Sequence, residues 1–338
     1  MAGHGKVRIG ILGAARIARQ FVEANAGSTA IEIAGVAARD VARAEAFASD
    51  LGIARVYESY EALLAAPEVE AIYLPLPNSL HAEWAIKATA AGKHVLSEKP
   101  LAANEAEAKA MFAAARAAGV HLVEAYPYLA QPQTLKAREI MRAGTLGRPR
   151  LIRTSFGVQI ADLSDIRYDP KLAGGALMDA GSYAVSMLRV MAGERPTRVT
   201  ATPAWAQTGV DHTMLASLEF ASGLVGQIAA SFVTAYHRHA HIACEEGIVE
   251  TTYLNHPPIG GPPTVHVRRG RTATAEAETI TCAGGNGFRY EADAFAAMLR
   301  EGAGHWNGAS EQESLDIAAT LAAILESARA GKPVDIAA

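Results

Sequence analysis

Three side chains in this sequence pair reactive chemistry with informative placement. Lys99 sits in HVLSEKPLA (94–102), where a short apolar run ends in a carboxylate, an ammonium and a proline. Two charged groups at the lip of a buried strand are costly to strip of water, so Lys99 needs a reason to be there. Asp179 and Tyr183 lie four apart in GGALMDAGSYAV (174–185), a spacing that sets both on one face of a helix. Gly174 and Gly175 just before them let backbone come close to a flat ring or a sugar. Lysine, aspartate and tyrosine are all types that hold or move a proton.

A second group is arranged to receive an anion. In GILGAARIA (10–18) a strand pattern passes through a glycine turn into a helix pattern. A dinucleotide fingerprint reads G-x-G-x-x-G/A; this chain supplies Gly13, Ala15 and Ala18, with the middle glycine replaced. The turn follows the first strand of a βαβ unit, which leaves the first helical amides facing a pyrophosphate. Arg16 fits that reading, since a cation in the first helical turn opposes the macrodipole unless an anion lies nearby; a solvated arginine is the plain alternative. The second strand ends Ala37-Ala38-Arg39-Asp40, with Arg43 one turn on. Arg39 and Arg43 can clamp a ribose 2′-phosphate, which favours NADP(H), whereas Asp40 turned to the ribose would favour NAD(H). Ala14, Ile17 and Ala38 complete this cofactor-binding stretch.

The elements that must position these groups fall into two textures. From Lys6 to about Glu124, apolar runs at 7–12, 31–38, 70–76, 93–96 and 120–125 alternate with helical patterns near 15–26, 40–50, 59–65, 79–91 and 104–118. Strands apolar on both faces and separated by helices predict a doubly wound parallel sheet. After Tyr126 longer strands alternate polar with apolar. Ser222-Gly223 joins 214–220 to 225–232 as a hairpin, a second turn is expected at Glu246-Gly247, and a helix runs from about Ala176 to Met191. Helical periodicity returns at 291–300 and 311–331, the latter stopping on Gly331 and Pro333. NHPPIGGPP (255–263) reads as a surface loop. The expected fold class is α/β: a domain over 1–125 with the parallel sheet, then an α+β substrate and oligomerisation domain over 126–338 with a large, mainly antiparallel open sheet.

At 338 residues, half of them apolar, with a formal net charge of -4 and no basic block, the chain has the balance of a globular protein that binds neither nucleic acid nor an anionic membrane. It has no apolar run long enough to span a bilayer, and MAGHGKVRIG enters a strand pattern at once, without a leader. Cys244 and Cys282 stand in no metal or redox spacing, which points to a reducing, cytoplasmic setting. His237, His239 and His241 alternate along one strand face, and a solvated or interface row suits them better than a metal site. No metal is expected.

Taken together, GILGAARIA (10–18), LPLPNSLHAEWAIKATAAGKHVLSEKPLA (74–102) and GGALMDAGSYAV (174–185) resemble the glucose–fructose oxidoreductase/inositol dehydrogenase (Gfo/Idh/MocA) family of nicotinamide-dependent oxidoreductases, over nearly the whole chain. The resemblance implies a Rossmann domain, then a substrate domain whose open sheet often makes homodimers or homotetramers. It implies that Lys99 points from its strand end toward nicotinamide and substrate, that Pro100 follows a cis bond, and that Leu76, Pro77, Asn78, His81 and Glu98 line the cofactor with Lys99. For His81 a role as helix-start residue is equally available.

In that light Lys99, Asp179 and Tyr183 become the expected catalytic cluster. Hydride transfer at an alcohol carbon leaves one proton to be moved in the same cavity. A free tyrosine, with a pKa of about 10, is a poor base at neutral pH, and a nearby ammonium corrects this. Tyr183 is expected to transfer the proton while Lys99 lowers its pKa and binds the reacting oxygen, or the two roles are exchanged; Asp179 orients substrate or Lys99. Many family members carry histidine at the Tyr183 position. The tyrosine resembles the branch of dihydrodiol dehydrogenases, NADP-dependent xylose dehydrogenases and sugar ketoreductases. EAYPYLAQPQT (124–134) departs from a family segment that often has arginine and histidine, here Leu129 and Gln131. Tyr126, Gln159, Arg167 and Tyr168 are the expected substrate contacts, with Arg167 alternatively pairing with Asp165 or Asp169. The expected substrate is a sugar or cyclic polyol; a trans-dihydrodiol and a non-catalytic NAD(P) sensor are the competing readings.

Overall fold

The structure is a computed structural model and describes residues 5–337; the first four residues of the MAGHGKVRIG stretch lie outside the described residues. The chain divides into two compact units, one formed by 1–102, 106–130 and 285–311, the other by 103–105, 131–284 and 312–338.

In the first unit, β1 (Val7–Leu12), α1 (Arg16–Ala24), β2 (Ile31–Ala37), α2 (Val41–Leu51), β3 (Val56–Tyr57), α3 (Tyr60–Ala65), β4 (Ala71–Leu74), α4 (His81–Ala90), β5 (His94–Glu98), α5 (Glu105–Ala118) and β6 (Leu122–Ala125) follow in order. The six strands lie in the order β3-β2-β1-β4-β5-β6, and every pair is parallel. Helices on both faces explain why β4 and β6 are buried at every residue. The two-residue β3 is too short to give a periodic signal. Local chemistry sets the helix ends: Asp40 and Ser59 cap α2 and α3 by accepting from Ala42 N–H and Ala62 N–H, each at 3.0 Å. The order reverses between β1 and β4, and the mouth beyond their carboxyl ends is where such sheets take ligands.

The second unit holds α6 (Pro132–Arg142), β7 (Pro149–Gln159), α7 (Ser182–Ala192), β8 (Pro196–Trp205), β9 (Asp211–Phe220), β10 (Val225–Ser231), β11 (Val233–Cys244), β12 (Gly247–Thr251), β13 (Thr264–Arg269) and β14 (Ala277–Thr281). Then α8 (Gly287–Glu301) belongs to the first unit, and α9 (Glu311–Ala330) leads to β15 (Val334–Asp335). Nine strands run β14-β13-β12-β11-β7-β10-β9-β8-β15, antiparallel except for β7 with β10. Helix α7 rests on the inner face, where Thr154 donates to the Ala184 carbonyl at 2.8 Å.

The architecture is the expected α/β one, with two local differences. The β11–β12 turn is made by Glu245 and Glu246, and Gly247 is already paired with Cys244. Its glycine serves proximity, since a Cβ there would meet the Arg268 carbonyl oxygen at 2.3 Å. The second difference concerns 285–311, which the division at residue 125 gives to the later domain. Phe288, Ala292, Phe295, Ala296 and Met298 on α8 instead join the core of the parallel-sheet unit with Ile9, Phe21 and Tyr73. A far segment of chain thus seals one face of that sheet, which no change in composition announces.

Candidate active site

The glycine turn has the form the sequence implies. Gly13 has φ of +116°, and a Cβ there would come within 3.1 Å of Leu76 Cδ2, so the turn and the loop after β4 are in contact. Gly13 N–H donates to the Ala37 carbonyl at 2.7 Å, tying the turn to the end of β2. Helix α1 begins after an extended Ala15 that supplies no side-chain cap, which leaves its first amides to an acceptor from elsewhere. Arg16, Arg39 and Arg43 are exposed, while Ala14, Ala15 and Ile17 are half-buried and Ala38 is buried. Arg39 and Arg43 bear electrostatically on Tyr60, whose phenol is nonetheless pushed up by burial. The Tyr60 hydroxyl lies 3.9 Å from where a Gly13 Cβ would be. The Asp40 carboxylate is occupied by the N-terminus of α2.

The corner after β5 is a network of buried polar groups. Tyr73 on β4 donates to Glu98 Oε1 at 2.5 Å, and Lys99 N–H donates to Glu98 Oε2 at 3.3 Å. The Lys99–Pro100 peptide is cis. Leu101 N–H donates to Glu124 Oε1 at 2.8 Å. His81 is fully buried, with Nδ1 at 2.9 Å from the Pro100 carbonyl and Nε2 at 2.7 Å from the Leu76 carbonyl. Burial, then the Lys99 charge, lower its pKa, and a neutral ring has one N–H to share between two carbonyls. His81 therefore starts α4 and also links the loop after β4 to the Lys99 corner. Leu76, Pro77 and Asn78 stand half-buried at that loop, and Tyr126 is buried, in edge contact with Tyr128.

In the second unit Asp179 and Tyr183 lie on a continuous helical segment. Asp179 is in a π-helical turn, Leu177–Gly181, and Tyr183 is in the first turn of α7. Such widened turns gather at functional sites. Both preceding glycines are required by neighbouring protein, not by an open face: a Cβ on Gly174 would strike the Arg167 carbonyl oxygen at 2.4 Å, and one on Gly175 (φ +117°) would strike Asp211 Oδ1 at 2.3 Å. Asp211 is buried and accepts from Leu177 N–H at 2.7 Å, and burial pushes its carboxyl up to about 7. It anchors the start of the π-helical turn.

Asp179 accepts from Arg167 Nε at 2.9 Å, and Arg167 Nη1 reaches Asp165 at 3.1 Å. The Asp179 charge, ahead of that of Asp165, raises the guanidinium pKa. Of the two pairings open to Arg167, the one with Asp165 forms, beside a further one with Asp179; the one with Asp169 does not, because Asp169 caps the following turn through Lys171 N–H at 2.8 Å. Tyr168 is 2 % exposed and donates to the Ile160 carbonyl at 3.0 Å, with its ring against Phe232, so its hydroxyl serves the core. Gln159 is exposed at the end of β7.

Tyr183 is braced by its ring and by its hydroxyl. Its ring is 5.6 Å from Phe156, and the Arg238 guanidinium lies 3.9 Å from the Phe156 centroid and 4.1 Å from that of Tyr183. Arg238 donates to Asn255 Oδ1 at 3.2 Å, and Asn255 Nδ2 donates to the Tyr183 hydroxyl at 2.9 Å. Arginine only donates, so the Asn255 amide has one admissible orientation, with NH₂ toward Tyr183. The Asn255 carbonyl in turn accepts from Gln131 at 3.1 Å. Arg238 and Asn255 escape sequence reading. Arg238 is the inward member of the strand that presents His237, His239 and His241 outward, and a charge at an inward register was its signal; Asn255 sits in what reads as a surface loop.

A parallel sheet with a glycine turn at its switch point, a lysine corner and a braced tyrosine define a dinucleotide-dependent oxidoreductase class. Residues 7–126 match the NAD-binding Rossmann domain of the GFO/IDH/MocA oxidoreductase family and residues 134–250 its C-terminal domain. The chain belongs to this family. It is 38% identical over 330 residues to D-xylose 1-dehydrogenase (NADP(+)) 2 of Haloferax volcanii, covering 97% of this chain and 99% of that protein. It is 34% identical over 251 residues to mouse trans-1,2-dihydrobenzene-1,2-diol dehydrogenase, covering 73% and 75%. Among solved structures it resembles the 3-ketoreductase KijD10 of Actinomadura kijaniata in complex with NADP and TDP-benzene, with TM-score 0.85, 30% identity and coverage of 96% and 98%.

Proposed function

We propose that the protein is an NADP(H)-dependent oxidoreductase that transfers a hydride between nicotinamide and a hydroxyl or carbonyl carbon of a sugar or related cyclic polyol, as an aldose dehydrogenase or ketosugar reductase. One observation carries the cofactor preference. Asp40, the residue that could favour a free 2′-hydroxyl, is engaged as a helix cap, while Arg39 and Arg43 stand exposed at the end of β2. Near full-length likeness to an NADP-dependent xylose dehydrogenase, to a dTDP-3,4-didehydro-2,6-dideoxy-alpha-D-glucose 3-reductase and to an NADP-bound 3-ketoreductase supports both cofactor and substrate class.

The bound cofactor supplies the hydride acceptor or donor. Lys99 binds the reacting oxygen, and Tyr183 takes the hydroxyl proton in oxidation and returns it in reduction, unless the two exchange roles. Asn255 donates to the Tyr183 oxygen, so it stabilises the phenolate that follows proton loss to solvent. Asp179 accepts from Arg167 and holds it at the π-helical turn, where the remaining guanidinium N–H groups would donate to a polyhydroxyl compound. Oxidation of a trans-dihydrodiol is the second reading, favoured by the likeness to the mouse enzyme. A sensor without turnover is disfavoured by the presence of Lys99, Asp179 and Tyr183 together.

Exposed apolar side chains on the second sheet, among them Leu151, Leu215, Val225 and Val233, support a homodimer or homotetramer. Cys244 and Cys282, both free thiols, support a reducing, cytoplasmic setting. Among the described residues no helix is long and apolar enough to cross a membrane. The test mixes the protein with NADP+ and a pool of aldoses, cyclic polyols and trans-dihydrodiols, beside Lys99→Ala. Reduction that vanishes in the variant supports the enzyme. Tight NADPH binding with no turnover in either direction, ketosugars included, defeats it.

A further inference from the structure

Glu291 is a carboxyl that the proposed chemistry does not use. It lies on α8 in the parallel-sheet unit, it is 1 % exposed, and among the described residues neither of its oxygens has a hydrogen-bond partner. A buried carboxylate in that state is strongly disfavoured. Glu98 lies on the sheet face that α8 covers: it is two residues on from Leu96 on β5, and Leu96 and its lateral partner Tyr73 pack with Phe288, Ala292 and Phe295, which flank Glu291 on α8. Its charge acts on Glu291, and donors converge on Glu98 instead. Tyr73 O–H and Lys99 N–H each occupy one Glu98 oxygen, which favours the charged form on Glu98 and leaves the proton to Glu291.

We propose that Glu98 and Glu291 form a carboxyl pair holding one proton, with Glu291 its neutral member, and that Glu291 is thereby a positioning residue for Lys99. The inference rests on the assignment of Lys99 to the site. The route is short: Glu98 fixes the Lys99 main-chain N–H, and a neutral Glu291 leaves Glu98 in place. Ionising Glu291 would set two like charges together where the dielectric is low, driving Glu98 from Tyr73 and loosening the corner that carries Lys99. Burial, then the Glu98 charge, raise the Glu291 pKa well above its ordinary value.

Other charged groups nearby are engaged elsewhere. On α8, Arg289 pairs with Asp293 at 3.1 Å and Arg300 with Glu70 at 2.9 Å. On α1, Arg19 pairs with Glu23 and Asp50, and Arg16 is exposed; Glu32 on β2 is exposed, and His305 in the turn after α8 lies by Glu301. Tyr128, in the turn at 127–130 against α8, is buried.

The test compares wild type, Glu291→Gln and Glu291→Ala. The wild-type minus Glu291→Gln infrared difference at neutral pH should show the carbonyl stretch of a protonated carboxylic acid; the band of Asp211, whose carboxyl is pushed up to about 7, is common to both proteins and cancels. NADPH affinity and turnover of Glu291→Gln at neutral pH should stay within about fivefold of wild type, the worth of one ordinary hydrogen bond, while its alkaline loss of NADPH affinity moves to higher pH. Glu291→Ala, lacking a neutral polar group of the same size, should lose affinity at every pH. Absence of the acid band, or an alkaline limb in Glu291→Gln that coincides with wild type, overturns the proposal. The infrared arm needs no substrate, so it separates failure of the pair from failure of the functional reading.

Discussion

Tyr183 owes its setting to two residues distant in the chain. Asn255 can donate to its hydroxyl only because Arg238 occupies the other end of the amide, so the pair should act on chemistry and little on cofactor. Asn255→Leu is expected to lower kcat about tenfold, the cost of one hydrogen bond made to a developing phenolate, with the Kd for NADPH unchanged. Steady-state kinetics beside a fluorescence titration reads both, and equal losses in each would remove Asn255 from the site. Tyr183→Phe should cost about 10²–10⁴ in turnover, the usual contribution of a positioned acid or base; retention of most activity would pass the proton role to Lys99. At the cofactor turn, Arg39→Ala is expected to weaken NADP(H) by about tenfold, one charge-assisted contact to a phosphate, and to leave NAD(H) affinity nearly alone. A parallel loss for both cofactors would take Arg39 away from the 2′-phosphate. At this scale Lys99, Asp179 and Tyr183 stand out in the sequence as candidates because their types and spacings are local. Arg238, Asn255, Asp211 and Glu291 were hidden because each gains its meaning from a partner dozens of residues away.

Among the elements, the π-helical turn before α7 depends on one buried acid. Asp211 on β9 holds Leu177 N–H and fills the space left by Gly175. Its carboxyl titrates at about 7 in the fold against an ordinary 3.8, so between those values the folded chain holds a proton the unfolded chain has lost. Stability from this residue is therefore greatest below about 4, declines as pH rises toward about 7, and is level above that. At 1.36 kcal/mol per pH unit the decline has an upper bound of about 4 kcal/mol. Asp211→Asn, which can still accept from Leu177, should flatten that slope: urea unfolding at pH 5 and pH 8 is expected to differ less in the variant than in wild type. An unchanged slope would mean that Asp211 stays charged in the fold. Period-2 and helical patterns located the strands of the parallel sheet to within one or two residues, since burial on both faces leaves long apolar runs. They missed β3, too short for a pattern, and misread Gly247, whose glycine answers to Arg268 across the sheet and not to a turn.

For the whole molecule, legibility fell with distance along the chain. The change in texture near Tyr126 marks the passage to the second unit, but the return of 285–311 to the first is carried by Phe288 and Phe295, whose partners lie more than two hundred residues earlier. The outer face of the nine-stranded sheet poses the remaining question at this scale. Leu151 on β7 is the lateral partner of Val225 on β10, and the two side chains are 36% and 47% exposed. Water gains nothing from such a pair, whereas burying it against another copy removes apolar area at about 25 cal/mol per Å². Leu151→Lys with Val225→Lys leaves the inward residues Ile152 and Gly226 untouched, so the fold should persist. Light scattering is expected to show a dimer or tetramer for wild type and a smaller species for the double variant, with NADPH affinity retained because the glycine turn and Lys99 lie in the other unit. Were wild type monomeric at micromolar concentration, the sheet face would have no partner of its own kind; were the variant to keep the wild-type mass, the interface would lie elsewhere on the chain.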